Sequence, residues 1–194
     1  AMGLGIFISL RIFNIPDITT DGSYTFGGAI TAVLLMYGFN PFLTFLFAAA
    51  GGAFAGIASG LIHTRLKVNP LLAGILVMTA LYSVNLSIMG RSNLPLMEIT
   101  SIFDWLPVSD ASLKQGIVFA TFVVLIITLL TWLLTTDFGI SMRATGNNEQ
   151  MVSALGVNTG IMKVTGLALA NMLTAVSGYL LVQQQGFADI NMGI

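Results

Sequence analysis

Between Asp21 and Arg65 the chain carries no Asp, Glu, Lys or Arg, and the only titratable imidazole in that run is His63. A hydrocarbon core about 30 Å thick is crossed by about 20 helical residues, so this run holds two membrane spans, with the turn between them at residues 38–41. Three more charge-poor stretches follow, residues 68–90, 115–136 and 164–188, each long enough to cross once. The whole chain agrees. Hydrophobic residues make up 56% and charged residues 8%, against about 25% charged in a soluble domain. The predicted fold class is all-α, a polytopic transmembrane helical bundle with discontinuous helices. A net charge of −1 excludes the clustered basic face that a nucleic-acid partner requires. With no cysteine, disulfides and thiolate metal sites are excluded as well.

Basic residues set the expected orientation, because they gather at the cytoplasmic ends of spans. Arg65 and Lys67 flank one short connection, and Arg143 and Lys163 bracket another, so both connections are placed in the cytoplasm. The stretch 90–114 is longer and carries Glu98, Asp104 and Asp110 against Arg91 and Lys114; it is placed outside. Spans are then expected at residues 23–37, 42–62, 70–89, 116–136 and 161–183. Trp105 in the outer loop and Trp132 near a span end suit the interfacial preference of indole rings. Residues 1–13 are apolar but give only about 20 Å of helix, a partial span, and the last residues stop where another apolar segment starts. The chain reads as a fragment of a longer membrane protein, cut at both ends.

The span at 23–37 is short, and the polar stretch before it, NIPDITTDG at residues 14–22, holds two carboxylates and Pro16, which breaks helix locally. An intramembrane turn is therefore expected at residues 14–23. Irregular backbone at such depth survives only where protein buries it or where it lines a cavity, and broken helices are where many transporters hold substrate. Asn14, Asp17, Thr20, Asp21 and Ser23 are pathway candidates on this ground. The alternative for this stretch is an ordinary turn in which Asp21 or Ser23 caps the next helix. A second polar interruption, QQQGFADIN at residues 183–191, carries Asp189 and Asn191. It is either a pseudo-repeat of the first or an external loop.

Gly52, Gly56 and Gly60 recur at four-residue spacing, the pattern that lets another helix approach closely, within this chain or at a subunit interface. His63 has no second histidine or acid at ligand spacing and reads as an interfacial side chain; no metal site is expected. In the connection between Asp137 and Lys163, Asn147 is expected to cap a short amphipathic helix with Gly156 just past its end. Asn148 and Glu149 are polar, while Met151, Val152 and Leu155 are apolar. Such a projecting helix suits docking of another protein, or is a plain connector. Arg143 and Lys163 either orient it or anchor at lipid headgroups.

These residues carry a family resemblance. GISMRATGNNEQMVSALGVNTGIMKVTGLALANMLTAVSGYLLV, residues 139–182, resembles permeases of ATP-binding-cassette (ABC) transporters in the branched-chain amino acid and simple-sugar superfamily: an R-A-x-G-x-N loop, a short helix, a glycine turn and a span with small residues. PDITTDGS resembles the simple-sugar permeases' I-D-L-S-V-G-S, with one extra residue and a second acid at Asp21. The whole chain is most similar to the branch of amino acid permeases associated with tryptophan uptake. The resemblance implies a bacterial inner-membrane importer subunit with a second permease copy and cytoplasmic ATPases docked on the short helix (Arg143, Asn147 to Glu149, Met151, Val152, Leu155, Gly156). It also implies a solute-binding lipoprotein outside. The departure at Asp21 sets residue-by-residue transfer of sugar contacts aside.

The chain has no G-x-x-x-x-G-K-[ST] phosphate cradle, no H-E-x-x-H and no catalytic triad pattern. It is therefore not expected to be an enzyme or to hold a cofactor, and ATP and Mg are expected in the partner ATPase. The expected function is a translocation pathway for an amino acid or related small solute. The alternative is an ion-coupled transporter or channel using Asp17, Asp21 and Asp189.

Overall fold

The computed structural model describes residues 1–96, 102–105 and 110–193; Glu98 lies outside them. The chain is a helical bundle in the order α1 (Met2–Ile6, continuing as a π-helix over Phe7–Ile12), α2 (Thr19–Met36), α3 (Pro41–Arg65), α4 (Pro70–Met89), α5 (Ala111–Thr135), α6 (Asp137–Asn147), α7 (Glu149–Ala154) and α8 (Thr159–Gln185). Two three-residue strands, β1 (Asn93–Pro95) and β2 (Phe187–Asp189), pair antiparallel with Leu94 opposite Ala188.

Local chemistry sets the helix ends. α3 and α4 both start on Asn-Pro: the Asn40 and Asn69 side chains accept the amides of Phe42 and Leu71, and each proline occupies the first turn, where its missing N–H costs nothing. Gly90 and Gly186 end α4 and α8 in the left-handed conformation, which carries no Cβ penalty for glycine.

Among the described residues, α3, α4, α5 and α8 are long and apolar enough to cross a membrane. They differ in where they sit. The apolar window of α8 is 61% buried and that of α5 only 11%, so α8 is the central post and α5 stands at the periphery. Tyr179 on α8 donates its hydroxyl to the Pro41 carbonyl at 3.0 Å and meets Phe45 edge-on.

α2 is not one of those four. Its first half, TTDGSYTFGG, is polar, yet Thr19, Thr20, Ser23 and Thr25 are buried, because α3, α4 and α8 surround it. Gly27 and Gly178 bring the α2 and α8 backbones together. Gly52, Gly56 and Gly60 on α3 lie against Ala175, Leu167 and Val164 of α8. This close approach is intramolecular, and α3 and α8 run antiparallel.

The irregular stretch is narrower than residues 14–23. The π-helix ends at Ile12 and helix resumes at Thr19, so the break covers 13–18. The connection between α5 and α7, read from sequence as a loop, is the 11-residue helix α6.

Candidate functional site

The break between α1 and α2 is built from backbone hydrogen bonds that leave the α-helical register. Phe13 N bonds back five residues to Ile8 O, the spacing of a π-helix, a feature often found at functional sites, and Ile15 N bonds back six residues to Ser9 O, wider still. Asn14 then takes φ of 54°, which asparagine tolerates better than most residues, and the chain reverses into α2.

Asp17 sits at the reversal. Its Oδ1 accepts the Thr19 amide at 2.9 Å, and its backbone carbonyl accepts the Thr20 hydroxyl at 3.0 Å. Ile18 holds the N-cap position of α2 without a side-chain cap bond, and Asp17, one residue earlier, satisfies the Thr19 amide of the first turn instead; the alternative that Asp21 or Ser23 caps the helix is corrected. The reason is register: with helix starting at Thr19, Asp21 and Ser23 lie inside it. The second Asp17 oxygen accepts from Asn171 Nδ2 at 2.7 Å. The amide oxygen of Asn171 in turn accepts the Ser23 hydroxyl at 2.6 Å. Ser23 and Asn171 are both fully buried. One amide on α8 thus ties the carboxylate of the break to the second turn of α2.

The depth of this network follows from α8. Asn171 is two turns along the helix from Lys163, about 12 Å at about 1.5 Å per residue. Lys163 belongs to the basic end of the bundle, where Arg65, Lys67 and Arg143 also lie. The Asp17–Asn171–Ser23 cluster therefore stands inside the thickness that α8 crosses, where polar groups are expensive unless paired.

Asp21 lies one turn beyond Asp17. Its backbone carbonyl accepts the Thr25 hydroxyl, and the return segment after β2 packs against it at Gly193. Asp189 and Asn191 are not part of the Asp17 cluster. Asp189 bonds Asn93 Nδ2 at 3.3 Å and the Asn191 amide at 2.8 Å, which closes the turn after the strand pair. From there the chain folds back along α2, with Met192 near Gly28.

At the basic end, Asn148 rather than Asn147 caps α7, accepting the Met151 amide at 3.0 Å; Asn147 is the last residue of α6. Gly156 follows the helix with φ of 86°. Val152 turns inward at 6% exposure, whereas Met151 and Leu155 are 62% and 73% exposed, an apolar pair one turn apart on the open face. Lys163 donates to Glu149 at 2.6 Å, and this hydrogen bond holds the Glu149 carboxyl below its usual range. Arg143 donates to the Leu134 carbonyl at 3.0 Å. Both cations therefore orient protein segments, Lys163 the short helix α7 and Arg143 the end of α5.

Asn171 and Asn85 are buried polar residues that do not stand out in the sequence. Each is an amide inside a mostly apolar span, and that alone was the available signal. No group of three metal-binding side chains occurs among the described residues.

The family described as branched-chain amino acid transport system / permease component matches residues 1–194. The chain belongs to that family. It is 40% identical over 193 residues to the tyrosine transport system permease protein of Clostridioides difficile (strain R20291), covering 100% of this chain and 63% of that protein. It is 36% identical over 190 residues to the uncharacterized protein RP368 of Rickettsia prowazekii (strain Madrid E), covering 98% and 66%. To the galactofuranose transporter permease protein YtfT of Escherichia coli (strain K12) it is 26% identical over 181 residues, covering 90% and 50%. The chain spans between half and two thirds of these relatives. No solved structure matches it. It is a multi-pass membrane permease component; the family is one of transporters, not enzymes.

Proposed function

We propose that this chain forms the solute pathway of an ATP-driven amino acid importer in the bacterial inner membrane, with its basic end in the cytoplasm. The observation that carries the reading is the Asp17–Asn171–Ser23 cluster, a buried polar network held at a helix break within the membrane thickness. The similarity to a tyrosine transport permease favours an amino acid as cargo. In this reading α7 receives the cytoplasmic ATPase, with Met151 and Leu155 as its apolar anchors and the Glu149–Lys163 pair passing its movement to α8. A second permease copy and an extracytoplasmic solute-binding lipoprotein complete the assembly, and ATP and Mg are held by the ATPase.

The test uses the full-length permease with its ATPase and binding protein in proteoliposomes. Asp17→Asn is expected to lower ATP-driven amino acid uptake at least tenfold while the ATPase still co-purifies. Met151→Ser with Leu155→Ser is expected to lose the ATPase itself, and Asp137→Asn to change neither. Uptake that depends on an ion gradient and ignores vanadate would replace this reading with an ion-coupled one.

A further inference from the structure

A second polar site lies on the other side of α2 from the Asp17 cluster. Between α2, α4 and the return segment after β2 there is a cavity of about 20 Å³ lined by Asp21, Thr25, Met78, Tyr82, Asn85 and Ile190. That volume admits one water-sized group. Its acceptors are the Asp21 carboxylate, the Thr25 hydroxyl oxygen and the Asn85 Oδ1, beside donors at the Asn85 Nδ2 and the Tyr82 hydroxyl. Asn85 is 1% exposed, and its Oδ1 has no hydrogen-bond partner. Among the described residues the Asp21 carboxylate forms no side-chain hydrogen bond or ion pair; the Thr25 hydroxyl spends its proton on the Asp21 backbone carbonyl, which leaves its oxygen as an acceptor.

A buried acceptor without a donor costs about 1–3 kcal/mol, so the Asn85 Oδ1 calls for an occupant that brings a donor, and the half-buried Asp21 carboxylate beside it favours one that also brings positive charge. A primary ammonium has three N–H donors and no acceptor, close to a water in size, and it matches the carboxylate, the amide oxygen and the hydroxyl oxygen. We infer that the Asp21–Thr25–Asn85 cavity is a subsite for a primary ammonium group, the one borne by the cargo. This rests on the amino acid reading above. The Asp17 carboxylate, by contrast, has its acceptors committed to Thr19 and Asn171, so the two neighbouring acids divide their work: Asp17 holds the break and Asp21 faces the occupant.

The experiment is saturation-transfer NMR of methylammonium on the full-length permease in nanodiscs, with tetramethylammonium, which has no N–H, as the control. Saturable methylammonium transfer is expected, at least fivefold weaker in Asp21→Asn and in Asn85→Leu, and stronger in Asn85→Asp, which keeps the size and adds a charge. At least one of the twenty standard L-amino acids should displace it, and the matching deaminated acid should not. Absence of saturable transfer, or equal transfer from tetramethylammonium, would overturn the inference. Displacement by sodium chloride at the same concentration with no displacement by any amino acid would overturn it too, as an inorganic-cation site. ATP-driven uptake measured on the same preparation separates the two claims: uptake without methylammonium transfer sinks the subsite alone, and displaceable transfer without uptake sinks the importer reading alone.

Discussion

Asn171 is the single side chain on which the break depends, because it donates to Asp17 and accepts from Ser23 with the two ends of one amide. An intramembrane side-chain hydrogen bond contributes about 0.6 and at most about 1.7 kcal/mol. Asn171→Leu removes both bonds and strands a carboxylate, so a loss of about 2 kcal/mol or more is expected. In the full-length permease this reads as a fall of several degrees in unfolding temperature, with Asn171→Gln intermediate. A temperature within about 1 °C of wild type would show that Asp17 is held by its bond to the Thr19 amide alone. The asymmetry between Asp17 and Asn171 also shows what a linear sequence reveals. Asp17 advertises itself beside Pro16 in a polar run. Asn171 sits in the mostly apolar stretch LALANML, and its partners Asp17 and Ser23 lie more than a hundred residues away in sequence.

At the scale of elements, the glycines divide by what they face. A Cβ at Gly56 would run into the Leu167 backbone of α8, whereas one at Gly116 on α5 meets nothing within 4 Å. Gly56→Ala must therefore push α3 from α8 and is expected to cost about 1–3 kcal/mol or more. Gly116→Ala stabilises by up to about 1 kcal/mol through helix propensity. Folded yield and unfolding temperature check both, and a tolerated Gly56→Ala would mean that the two helices are not locked. The short helix α7 has a pH signature instead. Since Lys163 keeps the Glu149 carboxyl low, their link is fully present above about pH 4.3, the ordinary glutamate value. It is lost as pH falls through the depressed value. Glu149 is half exposed, so its contribution is under about 1 kcal/mol, and the sensitive readout is its own titration. By carboxyl-carbon NMR the midpoint should rise in Lys163→Met; an unmoved midpoint would mean that the pair does not persist in solution. Hydropathy made the apolar helices legible, because bilayer thickness imposes a length that no loop reaches. It could not reveal α6, whose Gly139 and Gly146 lower helix propensity yet are required where the Leu133 and Ile12 carbonyls press on that helix.

For the whole molecule, one arrangement links the parts: α8 runs from α7, past Lys163 and Asn171, to the strand pair. In the importer reading proposed above, movement of α7 would act on the same rigid element that holds the break, and α2 would follow because Ser23 is bonded to Asn171 and Gly27 is packed on Ala175. A rigid-body shift of α8 with α2 is a recognised form of switching between two packings, and it needs the two ends of α8 to face opposite compartments. The distribution of charge underlies the orientation proposed above: Arg11, Arg65, Lys67, Arg143 and Lys163 gather at the α7 end, while Arg91 and Lys114 lie at the strand end, the pattern that the positive-inside rule assigns to a cytoplasmic α7. These 194 residues hold no cysteine, so in a full-length permease whose other cysteines, if any, are changed to serine, each introduced thiol reports one position. Met151→Cys, on the exposed face of α7, should react with a membrane-impermeant maleimide in inside-out vesicles only. Asn93→Cys, on the strand pair, should react in right-side-out vesicles only. Labelling of both from one side would break the link between α7 and the break, since α8 would then not cross the membrane between them.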